Sequence, residues 1–168
     1  SSNSLRLRAG SMTVVMPAAT APLFGPHNLD NILATLIMAD LLGVPMPTAA
    51  RGVMTFRGLP HRLEKVRDRQ GVAWFNDSKA TNVGAAVQSL LSFPGEVVLI
   101  LGGKDKGGDF ASMRPIIRSR VAHLILMGQA RESIQSQLGP IAPTTLVVTM
   151  AEAVEAAARL AAPGSVVL

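Results

Sequence analysis

The chain has 168 residues, 48% of them hydrophobic, no cysteine and a formal charge of +5. That is enough apolar material for one domain core, or one domain plus part of another; it excludes a disulfide framework and a thiol nucleophile, and it fits a reducing compartment. The arginines are scattered from Arg6 to Arg159, tyrosine is absent and there is one tryptophan, so the charge reads as suited to small phosphate- or carboxylate-bearing molecules rather than to nucleic acid.

No apolar run approaches the ~20 residues a membrane span needs, and the arginines near the start are not followed by an apolar segment of the signal-peptide kind. The chain therefore reads as soluble, non-secreted and without a membrane partner. Residues 1 to about 24 look β-like and irregular, with Met12 to Met16 a short strand closed by Pro17. This stretch reads as the tail of something that begins upstream.

Asn28 to Leu42 has Leu29, Ile32, Leu33, Leu36, Ile37 and Leu41 at helical spacing, which predicts a helix stopped by Gly43 and Pro45. A second, weaker helix is expected from Pro47 to Met54, followed by a connection broken by Gly58 and Pro60. From there strand and helix alternate. Strands are expected at Val72–Phe75, Val97–Leu101, Leu124–Met127, Thr145–Val148 and Ser165–Leu168. Helices are expected at Asn82–Leu91, Phe110–Ser119, Arg131–Leu138 and Ala151–Leu160. Strands apolar on both faces, joined by helices, predict an α/β fold with a mainly parallel sheet covered on both sides. In such a sheet chemistry sits in the loops that follow the strands. The last strand has no loop after it, which reads as truncation.

Four stretches could carry chemistry. The strand exit Asn76-Asp-Ser-Lys-Ala-Thr-Asn82 packs a carboxylate, an ammonium, two hydroxyls and two amides in front of a helix N-terminus, a place suited to anions. Asp77, Ser78, Thr81 and Asn82 are also ordinary helix caps, and both readings stand. Gly102-Gly-Lys-Asp-Lys-Gly-Gly-Asp-Phe110 leaves the next strand, with glycines for close backbone approach and Lys104 and Lys106 for anions; the alternative is a solvated turn. The two loops are expected side by side, because consecutive strands are often neighbours. His61-Arg62-Leu-Glu64 offers an arginine fork for phosphate, or is a solvated charged segment with a structural His61. Asn28 and Asn31, beside His27, put two amides on one face of a helical turn, to cap it or to pair with a base edge. His123 reads as a core or rim histidine. The chain contains no Gly-x-Gly-x-x-Gly, no phosphate-loop motif, no metal-ligand spacing and no nucleophile elbow.

Taken in order, His27-Asn28-x-x-Asn31, Phe56-x-Gly-Leu-Pro-His61-Arg-x-Glu64, Asn76-Asp-Ser-Lys-Ala-Thr-Asn82 and Gly102-Gly-Lys-Asp-Lys-Gly-x-Asp-Phe110 resemble the Mur ligases, from about Phe24 onward. The strand-exit run resembles the D-glutamate-adding branch in particular. The resemblance implies an incomplete, C-terminal part of an ATP-binding domain in residues 1–55, and a Rossmann-like ligase domain in 56–168, cut short at its end. The phosphate loop and the magnesium ligands would lie upstream, and a last substrate loop downstream.

The resemblance further implies a cytoplasmic enzyme of peptidoglycan precursor synthesis. It would use ATP and magnesium to join D-glutamate to UDP-N-acetylmuramoyl-L-alanine through an acyl phosphate, and this stretch alone would be inactive. It puts Asn28 and Asn31 at the adenine, Arg62 at the ATP phosphates and Asp77 at the ribose. Lys79, Thr81 and Lys106 would handle D-glutamate or the reaction intermediate, with Lys79 catalytic. The alternatives are a sister Mur or folylpolyglutamate-type amide ligase, or a binding module without catalysis.

Overall fold

The computed structural model describes residues 4–9, 12–17, 23, 25–104, 107–138 and 141–168, with backbone only for 4–9 and 12–17. They form two compact units, Ser1–Leu59 and Pro60–Leu168. Among the described residues no helix is long and apolar enough to cross a membrane.

The first unit opens with an antiparallel pair, β1 (Ser4–Ala9) and β2 (Met12–Pro17), running from Ser4 opposite Pro17 to Ala9 opposite Met12. Only its second strand was expected. Two helices follow, α1 (Pro26–Leu41) and α2 (Met46–Thr55), each with a proline in its first turn where the missing N–H costs nothing. Their shared core is narrow: Ile32 and Leu36 of α1 meet Met46 and Val53 of α2. Ile37 and Leu41, expected on the same apolar face, are exposed. Each helical residue turns ~100°, so Ile37 points away from the stripe that Ile32 and Leu36 form.

The second unit is a six-stranded sheet in the order β3-β4-β8-β5-β6-β7. Its strands are β3 (Glu64–Arg69), β4 (Val72–Asn76), β5 (Val97–Gly103), β6 (Val121–Gly128), β7 (Thr144–Leu146) and β8 (Val166–Val167). All pairings are parallel except β3 with β4. That pair is a hairpin around Gln70 and Gly71, both at positive φ, as a two-residue turn matched to strand twist requires. The β3 strand was not expected, because every one of its six residues is exposed and no apolar alternation marks it. Its charges suit an edge strand, where they discourage pairing with another chain.

The connecting helices are α3 (Val83–Leu91), α4 (Arg114–Arg120), α5 (Arg131–Leu138) and α6 (Met150–Leu160). A short 3-10 turn, Phe110–Met113, precedes α4, so the helix expected from Phe110 begins later than its sequence suggested. Alternation along each strand sorts the core into two layers. Val97, Leu99, Leu124 and Leu126 pack with Leu90 of α3, Ile117 of α4 and Ile134 of α5. Val98, Ile125 and Val167 pack against Ala153, Ala156 and Ala157 of α6. Helices thus cover both faces. Leu124, Ile125 and Leu126 are fully buried, each worth roughly 1.5–3 kcal/mol of burial.

β4 and β5, consecutive in the parallel run, are not neighbours: β8 lies between them. The connection β4-α3-β5 steps over one position, and α6, on the opposite face, brings the chain back to fill it. Both exits still face the same edge, because all three strands are parallel.

Candidate functional site

The β4 exit and the turn before β3 are fastened together by a set of short hydrogen bonds. The Lys79 amide donates to the His61 carbonyl at 3.0 Å. The Asn76 side-chain amide donates to His61 Nδ1 at 2.9 Å, and its own oxygen accepts the Ser78 amide at 3.1 Å. That bond makes Nδ1 the acceptor and leaves the ring proton of a neutral imidazole on Nε2. The His61 amide donates to Glu64 Oε2 at 2.9 Å. Asp77 Oδ1 accepts the Leu63 amide at 2.9 Å, and Asp77 Oδ2 accepts the Ser89 hydroxyl from α3.

These bonds hold an unusual backbone. His61 (φ 64) and Leu63 (φ 45) are both left-handed, a conformation costing on the order of 1–3 kcal/mol for a residue with a Cβ, and one that persists only where the surroundings over-determine it. Leu63 is anchored by its side chain in the core. Arg62, between the two, is exposed, as are Lys79 and Thr81. Among the described residues none of the three makes an ion pair or a side-chain hydrogen bond. The result is a rigid edge from which two cations and a hydroxyl project, suited to phosphate and carboxylate groups.

Of the capping candidates in the 76–82 run, one caps the helix that follows. Asn82 caps α3, accepting the Ala85 amide at 2.8 Å. Asn76 and Asp77 brace the loop and its neighbours, while Lys79 and Thr81 are turned outward. Both Asp77 oxygens already accept from the protein, so a ligand hydroxyl there would share an oxygen with Leu63 or Ser89.

The glycine loop that follows β5 is built by close approach. A side chain on Gly102 would put its Cβ 2.1 Å from the Met127 carbonyl oxygen, and Gly103 sits at φ 123. At its far end Gln137 of α5 clamps the chain: its side-chain oxygen accepts the Phe110 amide at 2.8 Å and its nitrogen donates to the Gly108 carbonyl at 3.2 Å. A Cβ on Gly108 would lie 3.5 Å from Val83 Cγ2 at the start of α3. The end of the glycine loop therefore reaches the start of α3 despite the intervening β8. Lys104 is exposed; Lys106 lies outside the described residues.

Asn28 and Asn31 belong to the first unit. They do share a face of α1, where Asn31 Nδ2 donates to Asn28 Oδ1 at 3.2 Å. The N-cap of this helix is Gly25, which has no side chain to cap with. His27 Nδ1 is buried and has no hydrogen-bond partner among the described residues. His123 is half-buried against Thr145, with Nε2 2.8 Å from the hydroxyl, and desolvation lowers its pKa below 6.5. Sequence reasoning gave no part to Ser89 or Gln137. For Ser89 a signal existed: a hydroxyl on the apolar stripe of α3, beside Ala86 and Leu90, must find a buried partner.

Residues 61–168 match the family described as the Mur ligase, glutamate ligase domain. The chain is 47% identical, over 150 residues, to the UDP-N-acetylmuramoylalanine–D-glutamate ligase of Geotalea uraniireducens, a match covering 89% of this chain and 33% of that protein. It is 49% identical over 144 residues to the enzyme of the same name from Geobacter sp. strain M21, covering 86% of this chain and 32% of that one. In three dimensions it is similar to the UDP-N-acetylmuramoylalanyl-D-glutamyl-2,6-diaminopimelate–D-alanyl-D-alanyl ligase of Acinetobacter baumannii, with a TM-score of 0.72 and 21% identity over 98% of this chain and 37% of that one. The chain belongs to the Mur ligase family. It spans about a third of the length of the relatives it matches.

Proposed function

We propose that this chain is the C-terminal portion of an ATP-dependent ligase that joins D-glutamate to UDP-N-acetylmuramoyl-L-alanine in peptidoglycan precursor synthesis, in the cytoplasm. The observation that carries the reading is a conjunction. The chain is 47–49% identical to D-glutamate ligases, and the outward residues of its braced edge, Arg62, Lys79 and Thr81, are those the resemblance gives to anionic ligands. Residues 1–55 belong on this reading to the ATP-binding domain and 56–168 to the ligase domain.

In the proposed reaction the alanine carboxylate takes the terminal phosphoryl group of ATP, the amine of D-glutamate attacks the acyl phosphate, and phosphate leaves the tetrahedral intermediate. Arg62 meets the ATP phosphates, where its fixed fork offsets charge on the transferring group. Asp77 meets the ribose through an oxygen shared with a protein donor, and Asn28 and Asn31 meet the adenine edge. Lys79, acting catalytically, steadies the intermediate's charge, and Thr81 and Lys106 hold the D-glutamate carboxylates. Magnesium would neutralise phosphate charge. Among the described residues no three His, Cys, Asp or Glu side chains are grouped together.

The reading is tested in the intact ligase by Lys106→Ala. The loss of one charge-assisted contact costs ~1.5–3 kcal/mol, roughly ten- to a hundred-fold in affinity. The apparent requirement for D-glutamate should rise by that factor while that for ATP stays near normal, and Lys106→Arg should rescue poorly because a fork does not replace a point charge. Loss of ATP affinity with normal D-glutamate dependence would assign Lys106 to the nucleotide instead.

A further inference from the structure

Ser89 lies on the buried face of α3, 5% exposed, one residue from Leu90, which is fully buried. Its hydroxyl has one proton and two acceptors in reach: Asp77 Oδ2, and the Ala85 carbonyl one turn back at 3.0 Å. A carboxylate is the stronger acceptor, so the proton goes to Asp77. That fixes which way the carboxylate faces. With Oδ2 held by Ser89, Oδ1 is presented to the Leu63 amide at 2.9 Å.

The Leu63 amide belongs to the strained turn. Between His61 and Leu63, both left-handed, Arg62 has its direction set by two backbone conformations that relax to extended when their restraints are lost. His61 keeps three restraints of its own, through Glu64, Asn76 and Lys79. For Leu63, the hydrogen bond that restrains its backbone amide goes to Asp77. With the Leu63 side chain still seated in the core, a loosened amide lets the backbone there turn from φ 45, which swings the Arg62 carbonyl and with it the base of the guanidinium arm.

We propose that Ser89 is a positioning residue for nucleotide binding, holding Asp77 against the Leu63 amide and thereby aiming Arg62. The proposal rests on the reading that Arg62 meets the ATP phosphates. It explains a hydroxyl on a helix stripe where alanine would pack at least as well, and it gives Asp77 a second duty alongside any contact with the ribose.

The test is steady-state kinetics of the intact ligase, with ATP and D-glutamate varied in turn, for Ser89→Ala, Arg62→Ala and the double variant, each checked for folding by thermal melting. Ser89→Ala is expected to raise the KM for ATP about tenfold, a part of what loss of the Arg62 contact itself costs, and to leave the KM for D-glutamate within about twofold. Ser89→Thr, which keeps the hydroxyl, should restore most of the ATP affinity. In the double variant most of the Ser89 effect should vanish, because there is no guanidinium left to aim and only any Asp77 contact with the ribose remains.

An unchanged KM for ATP in Ser89→Ala, equal losses for both substrates, or a full Ser89 factor on top of Arg62→Ala would each overturn the proposal. If Arg62→Ala itself left the ATP requirement unchanged, the assignment of Arg62 would fall, and the proposal with it. Should Ser89→Ala not fold, Ser89→Cys, similar in size but a weaker donor, is expected to raise the KM for ATP by an intermediate factor; a normal value would overturn the proposal.

Discussion

The Asn76 side chain joins two segments: its nitrogen donates to His61 Nδ1 at 2.9 Å while its oxygen accepts the Ser78 amide at 3.1 Å. One amide thus sets both the turn that carries Arg62 and the loop that carries Lys79. Asn76→Ala removes both bonds. At ~0.5–1.5 kcal/mol for each, the second unit should lose about 1–3 kcal/mol. Urea unfolding of the 168-residue chain followed by tryptophan fluorescence measures this, because the single tryptophan, Trp74, lies on β4 beside the site. Asn76→Asp keeps the acceptor and loses the donor, and should fall between.

Gly102 and Gly95 make a matched contrast. Cβ at Gly102 would meet the Met127 carbonyl oxygen at 2.1 Å, whereas Cβ at Gly95 would meet nothing within 4 Å. Gly102→Ala must push β5 and β6 apart at their carboxyl ends, costing about 1–3 kcal/mol or more. Gly95→Ala should be neutral or stabilise by up to ~1 kcal/mol by restricting the unfolded chain. Comparing the two urea midpoints decides it; equal midpoints would mean the strand ends are not packed so closely.

Much of the fold could be read from the sequence because its strands are apolar and its helices periodic: Val97 to Leu101 and Leu124 to Met127 could be little else. What could not be read was what lacks an apolar signal. The β3 strand, Glu64–Arg69, is wholly exposed and looks like a charged loop. The place of β8 between β4 and β5 is a matter of topology, fixed by α6 crossing on the opposite face, and no local pattern encodes it. In the site, the run from Asn76 to Asn82 was visible as a cluster of polar groups, but its division of labour was not. The bracing of Asp77 by Leu63 and Ser89 joins residues 14 and 12 positions away, contacts that only the folded chain creates.

The α6 helix starts with a capping box. The Thr149 hydroxyl accepts the Glu152 amide, and the Glu152 carboxylate accepts the Val148 amide at 2.8 Å. The Val148 bond, with help from Thr149, holds the Glu152 pKa below 4.5 although desolvation pulls the other way. A carboxyl whose folded pKa is depressed stabilises the fold above its unfolded value and loses that contribution as pH falls through the folded one. The 168-residue chain should therefore lose stability below about pH 4.5 partly through this group, and Glu152→Gln should show a shallower acid limb. Thr149→Ala should cost ~0.5–2 kcal/mol at neutral pH. Unfolding midpoints measured from pH 3 to pH 7, a range set by ordinary carboxylate titration, test both; an acid limb unchanged in Glu152→Gln would contradict the first.

Arg62, Lys79 and Thr81 on the braced edge are proposed to serve a D-glutamate ligase. The most direct measurement is phosphate release from ATP by the intact ligase in the presence of UDP-N-acetylmuramoyl-L-alanine, with D-glutamate, L-glutamate, D-alanine and meso-diaminopimelate supplied in turn. Release is expected with D-glutamate alone, and it should be lost in Lys79→Ala even at saturating substrate. Release that follows another amino acid, or that survives Lys79→Ala unchanged with D-glutamate, would contradict it.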